Sequence, residues 1–213
     1  MVGVESGRMS GSRQSGNARA WVVGLLAFVG LSAGSWVWLE RFATYHFAAV
    51  TPGVLYRDGN RSLREFTTAC RKAGARTVVM LNDDQELQKE PFKTEVEFCR
   101  RSGIELVRIP VTLGCRPSSE DVRRFLEVAS DKARQPVLVH CAQGVRRTGM
   151  MVAAYQESVL GYDDAKAKEA ILPWGRKATS LTLEDVRHFI EDYDPVGKVV
   201  GLQHAAAGSG DRE

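Results

Sequence analysis

The chain reads as an α/β protein with a mainly parallel central sheet flanked by helices, preceded by an N-terminal hydrophobic helix. Three observations predict this. Short apolar runs rich in β-branched residues, such as Val78-Val79-Met80-Leu81 and Val137-Leu138-Val139, have the length of strands buried on both faces. Capped helical segments alternate with these runs, and strand–helix alternation implies right-handed crossovers and parallel pairing. Lastly, Ala20 to Leu39 carries no charged residue, which is long enough for a helix to cross a hydrocarbon core.

Met1 to Arg19 is Gly/Ser-rich with Arg8, Arg13 and Arg19, a disordered basic N-terminus (1–19). The apolar run that follows fits a transmembrane anchor (20–39), with Trp36 and Trp38 at its far end where aromatics favour the interface. A cleaved signal peptide and a buried core helix are the competing readings. The first has poor small-residue cleavage sites. The second has no polar face. The excess of arginines before the run implies a single-pass membrane protein with the domain that follows it outside.

A globular domain (45–194) comes next. Phe42 to Val50 is a linker or a first edge strand, and Val54 to Arg57 is a strand entering a turn at Asp58-Gly59-Asn60. Ser62 and Glu65 form a capping box for a helix that Gly74 stops near Ala73. Thr77 to Leu81 is a buried strand, Pro91 to Arg101 a helix closed by Gly103, and Ile104 to Ile109 a strand. Ser118 opens a helix with Glu120 and Asp121 in its first turn. Pro136 to His140 is a strand, and Arg147–Val159, Asp163–Leu172 and Thr182–Tyr193 are helices. The Gly/Ala-rich remainder (195–213) is a flexible tail.

The formal net charge of +3 is too small, and its Lys and Arg too interleaved with acids, for a nucleic-acid partner. Cys70, Cys99, Cys115 and Cys141 show no C-x-x-C spacing, so no metal site is expected.

The deciding segment is His140-Cys141-Ala142-Gln143-Gly144-Val145-Arg146-Arg147-Thr148-Gly149. It lies between a buried strand and a helix apolar on nearly every side. Such a strand–loop–helix unit holds an anion, because loop N–H groups and the helix N-terminus converge on one point. Cys141 in that field ionises easily. Backbone groups from Ala142, Gln143, Gly144, Val145, Arg146 and Arg147 form the cradle, and Gly144 permits close approach of the backbone. The planar fork of Arg147 suits two phosphate oxygens, which Lys does not match. Thr148 is placed to donate to the sulfur or to cap the helix. A buried structural thiol is the usual fate of a free cysteine; the arginine, glycine and helix around Cys141 argue against it.

At His140, Cys141, Gly144, Arg147, Thr148 and Gly149 the chain resembles the cysteine-dependent protein tyrosine phosphatase superfamily, with its H-C-x5-R-[ST] signature. Val54–Gly59 and Arg76–Asn82 are similar to segments of small dual-specificity phosphatases. The resemblance implies Cys141 as nucleophile, Arg147 as phosphate ligand, Thr148 as helper of the leaving sulfur, His140 ordering the loop from behind, and no organic cofactor or metal. Gln143 would position water, and Arg146 would meet a second anionic group or simply face solvent.

The resemblance also implies an aspartate on a loop about thirty residues before the cysteine. Here that loop reads Pro110-Val111-Thr112-Leu113-Gly114-Cys115-Arg116-Pro117, without a carboxylate. Asp83 and Asp84, or Glu120 and Asp121, are substitutes. Otherwise the leaving group needs no proton, as in an inositol pyrophosphate, or the chain is a phosphate-binding pseudophosphatase. Cys115 is either a redox partner of Cys141 or an unpaired loop cysteine. The expected function is hydrolysis of phosphate monoesters through a phosphocysteine, of tyrosine or dual-specificity type, on a phosphorylated protein or a small phosphate ester. Rhodanese-like sulfur transfer is the remoter alternative.

Overall fold

The structure is a computed structural model that describes residues 17–42, 44–175 and 180–195. It divides into two compact units, Met1–Phe42 and Ala43–Glu213. The disordered N-terminus and flexible tail expected from sequence fall almost wholly outside the described residues.

The first unit carries one helix, α1 (Asn17–Phe42), so residues 17–19 are helical. Trp21, Leu25, Leu26, Phe28 and Leu31 are exposed on it. Among the described residues, however, no helix is long and apolar enough to cross a membrane. The expected anchor at 20–39, the membrane contact through it and the single-pass, external placement are corrected accordingly.

The second unit is an α/β fold with a mixed five-stranded sheet in the order β1-β2-β5-β3-β4. The strands are β1 (Tyr45–Thr51), β2 (Leu55–Gly59), β3 (Thr77–Met80), β4 (Glu105–Arg108) and β5 (Val137–Cys141). β2, β5, β3 and β4 run parallel, while β1 returns antiparallel to β2 through a short turn. That hairpin makes the sheet mixed, since a tight turn can only join antiparallel strands.

Helices cover both faces. α2 (Leu63–Ala73) and α3 (Phe92–Ser102) pack on one side around Phe66, Ala69, Cys99, Val78 and Leu138. On the other, α4 (Ser119–Ser130), α5 (Arg146–Ser158), α6 (Asp164–Gly175) and α7 (Ser180–Asp192) enclose the larger core around Val79, Val139, Phe125 and Met150. Burial on both faces explains why every residue of β3 and β5 is buried.

Local signals set the helix ends. Ser62 caps α2 through the N–H of Glu65, and Gly74 ends it in the left-handed conformation at φ 59°. Glu65 does not complete the expected box; its carboxylate accepts from the N–H of Arg61 instead. The reciprocal box forms at α4, where Ser118 and Asp121 bond each other.

Alternation along β5 decides what lies where. Val137, Val139 and Cys141 belong to the larger core, whereas Leu138 and His140 point toward α2 and α3. Register sets Cys141 beside Gly59 and His140 between Asp58 and Met80. The loop after β5 thus opens at the carboxyl ends of the parallel strands, where such sheets bind ligands.

Candidate active site

Cys141 ends β5 and is almost fully buried. Its sulfur accepts hydrogen bonds from the Gly144 N–H and the Thr148 hydroxyl, each at 3.2 Å. Gly144 has φ 67°, and a Cβ there would sit 2.4 Å from the Asp58 carbonyl oxygen, so only glycine fits. α5 begins at Arg146 with no side-chain cap at Val145. Its first N–H groups are left for a ligand.

Arg147 is 3% exposed. Its Nη1 donates to the Val111 carbonyl at 3.1 Å, to the Leu81 carbonyl at 3.4 Å and to Glu86 Oε2 at 2.5 Å. Its Nη2 donates to Glu86 Oε1 at 2.9 Å. Among the described residues no hydrogen bond uses Nε. The Nε–Nη2 edge of the guanidinium is therefore open to a bidentate oxyanion.

A cavity of about 580 Å3 gathers Cys141, Ala142, Gln143, Arg146 and Arg147 with Glu86, Leu113, Gly114 and Asp185. Arg146 donates to the carbonyls of Cys115 at 2.5 Å and Gly114 at 2.8 Å, and through Nε to Asp185 at 2.5 Å. Arg116 reaches the other oxygen of Asp185 at 3.1 Å. Asp185 of α7 thereby ties the loop of residues 110–117 to the start of α5. Val145 is buried and shapes the loop from beneath.

None of the carboxylates proposed from sequence lines the cavity. Asp83 accepts from the N–H groups of Glu86 at 2.9 Å and Leu113 at 3.3 Å. Those bonds, that of Glu86 first, hold its carboxyl below the usual range. Asp84 pairs with Arg108 at 2.8 Å. Glu120 pairs with Arg123, and Asp121 serves the α4 cap. The two carboxylates that do line the cavity, Glu86 and Asp185, were not singled out from sequence. Burial alone would raise both, but Arg147 outweighs it at Glu86, and Arg116 with Arg146 at Asp185, so both are held low. A proton donor needs the opposite shift.

Behind the loop lies a buried polar chain. The Nδ1–H of His140 donates to the Asn60 amide oxygen at 2.7 Å, and the Asn60 amide nitrogen donates to Asp58 Oδ2 at 2.6 Å. His140 Nε2 is 3.9 Å from Glu95 Oε2. Burial, then the Arg147 charge, lowers His140 to about 3, so it is neutral. Burial also raises Asp58 to about 9 and Glu95 to about 8. His140 thus meets the loop through Asn60, whose backbone N–H donates to the Ala142 carbonyl at 2.9 Å. Cys115 is exposed, and all four cysteines are free.

A sulfur held by loop N–H and hydroxyl groups beside an open guanidinium edge, on this sheet, is the arrangement of the cysteine-based phosphatase fold. The family model described as "DSP-PTPase phosphatase fused to NAD+ Kinase" matches residues 55–190, and the chain belongs to that family. It is 34% identical over 86 residues to the probable chloroplastic NAD kinase 2 of Oryza sativa subsp. japonica, covering 40% of this chain and 9% of that protein. It is 41% identical over 58 residues to the vaccinia virus dual specificity protein phosphatase OPG106, covering 25% of this chain and 33% of the viral one. The chain therefore spans only a small part of the length of these relatives. The catalytic core of the PP-IP phosphatase SIW14 from S. cerevisiae shares the fold, with a TM-score of 0.60 and 21% identity over 78% of this chain and 93% of that one.

Proposed function

We propose that residues 45–194 form a phosphatase domain that hydrolyses phosphate esters through a phosphocysteine at Cys141. The observation that carries this reading is the Cys141 sulfur, bonded at 3.2 Å by Gly144 and Thr148, beside the open edge of Arg147. The thiolate attacks phosphorus in line, forming an S–P bond as the bond to the leaving oxygen breaks. The cradle N–H groups from Ala142 to Arg147 and the Arg147 fork stabilise the charge on the equatorial oxygens. Water then attacks the phosphocysteine, and the Thr148 hydroxyl donates to the departing sulfur. Inorganic phosphate leaves and the thiolate is restored.

Among the described residues neither carboxylate that lines the cavity is poised to donate a proton, and this bears on the substrate. General acid help is worth about 10²–10⁴ in rate, so good leaving groups are favoured. Phosphotyrosine on a protein fits this better than the phosphoserine and phosphothreonine that a dual-specificity-like activity would add, because a phenolate leaves more readily than an alkoxide. A second reading is an inositol pyrophosphate, whose phosphoanhydride leaving group needs little protonation; the SIW14 likeness in fold supports it. Against it, the cavity offers two arginines and two carboxylates, a balanced lining for so anionic a ligand. A pseudophosphatase would keep the cradle and show no turnover.

The test is a panel of an aryl phosphate, phosphotyrosine and phosphoserine peptides and an inositol pyrophosphate. Wild type is compared with Cys141→Ser and Arg147→Lys. Both variants should lose at least about two orders of magnitude in kcat/KM. A wild type that binds phosphate but releases none, with no phosphocysteine after rapid quenching, would leave only a binding module.

A further inference from the structure

Three consecutive carbonyls of the anion loop are held by donors from the β1–β2 hairpin and the residue just beyond it. The Asn60 N–H donates to the Ala142 oxygen at 2.9 Å. His46 Nδ1–H donates to the Gln143 oxygen at 2.7 Å, and Arg57 Nη2 to the Gly144 oxygen at 2.6 Å. A carbonyl only accepts, so Nδ1 of His46 carries the hydrogen.

A trans peptide sets its C=O and its N–H on opposite sides. Fixing these three oxygens fixes the N–H groups of Gln143, Gly144 and Val145 on the far side. The Gln143–Gly144 peptide shows the result: its oxygen is held by His46 and its N–H points at the Cys141 sulfur, 3.2 Å away.

Both side chains are placed at a cost. His46 has φ 61°, the left-handed region that a residue with a Cβ disfavours. Arg57 is a cation buried to 2% exposure on a strand of the sheet. Burial lowers it only to about 10, with the nearby Cys141 opposing, so it stays charged at neutral pH. A strained backbone and a buried charge converging on one loop are the marks of a functional constraint.

We propose that His46 and Arg57 are positioning residues: they clamp the loop carbonyls outward so that its N–H groups face the phosphate. The catalytic consequence rests on the phosphatase reading; the effect on oxyanion binding does not.

The test measures tungstate binding by calorimetry, with melting temperature and aryl phosphate turnover alongside. His46→Gly removes the donor at a φ that glycine accepts, and His46→Asn restores a donor in a residue tolerant of that φ. His46→Gly should bind tungstate about tenfold more weakly, melt with wild type and recover part of the loss in His46→Asn. Arg57→Lys should fall between wild type and Arg57→Met; if the latter fails to fold, the His46 pair decides. Wild-type affinity in His46→Gly, or a loss that follows melting temperature alone, overturns the clamp. A wild type that binds tungstate without turnover, with binding weakened in His46→Gly, keeps the clamp and removes the phosphatase reading. A wild type that binds no oxyanion removes both.

Discussion

Glu86 grips Arg147 with both carboxylate oxygens, at 2.5 Å and 2.9 Å, from the segment that follows β3. The same guanidinium also donates to the Val111 and Leu81 carbonyls. One edge is thus fixed by protein, and the other is aimed by that fixing. Replacing Glu86 by Gln keeps the size and removes the charge. A charge-assisted bond is worth about 1.5–3 kcal/mol, so kcat/KM for an aryl phosphate should fall about 10- to 100-fold. Steady-state rates check this.

The cavity carboxylates are held ionised, so rates should depend steeply on the leaving group. A series of aryl phosphates of graded phenol acidity should give a strongly negative Brønsted slope. Asp83→Asn should leave that slope unchanged, because its carboxylate is taken up by the Glu86 and Leu113 N–H groups and held below the usual range. A slope that steepens in Asp83→Asn would make Asp83 the acid after all.

Asp185 neutralises Arg116 and Arg146 at the cavity rim. Asp185→Asn should therefore shift preference toward substrates with a second anionic group, by about tenfold in the ratio of kcat/KM values. Competition between singly and doubly phosphorylated substrates measures the ratio.

Gly59 lies against the loop so closely that a Cβ would meet the Gln143 backbone at 2.4 Å. Gly59→Ala should cost about 1–3 kcal/mol of stability through overpacking and weaken oxyanion binding. Denaturant melts and tungstate titration report the two effects.

Asp58 and Glu95 carry raised folded values, about 9 and about 8, both chiefly from burial. Each binds a proton when folded that it releases when unfolded at neutral pH. Their contribution to stability is complete below the ordinary carboxylate range and is lost as pH rises through about 8 and about 9. Urea midpoints should fall from about pH 6 to about pH 10, and Glu95→Gln should flatten the fall.

The strand-loop-helix around Cys141 was legible because its chemistry forces a fixed spacing: the arginine must return to the sulfur within one loop. Strand and helix order was legible from buried β-branched runs and caps, with ends shifted by a residue or two. Glu86 was not, since it opens a single 3-10 turn (Glu86–Gln88) too short for a repeating pattern and its partner is 61 residues away. Nor was Asp185, whose partners Arg146 and Arg116 lie 39 and 69 residues away. Arg57 left one faint sign, a cation at the end of an otherwise apolar expected strand. Asp58 and Gly59 read as a turn, yet the parallel neighbour β5 draws them into β2. The apolar run at 20–39 misled because length without charge was taken for a spanning surface.

Asp185 follows Arg146 by 39 residues. During synthesis the nucleophile and its loop leave the ribosome well before the wall that latches them. Until α7 folds back, Arg146 and Arg116 lack the carboxylate that joins them. A message cut short ahead of that helix would yield a polypeptide with an intact signature and an unfinished mouth.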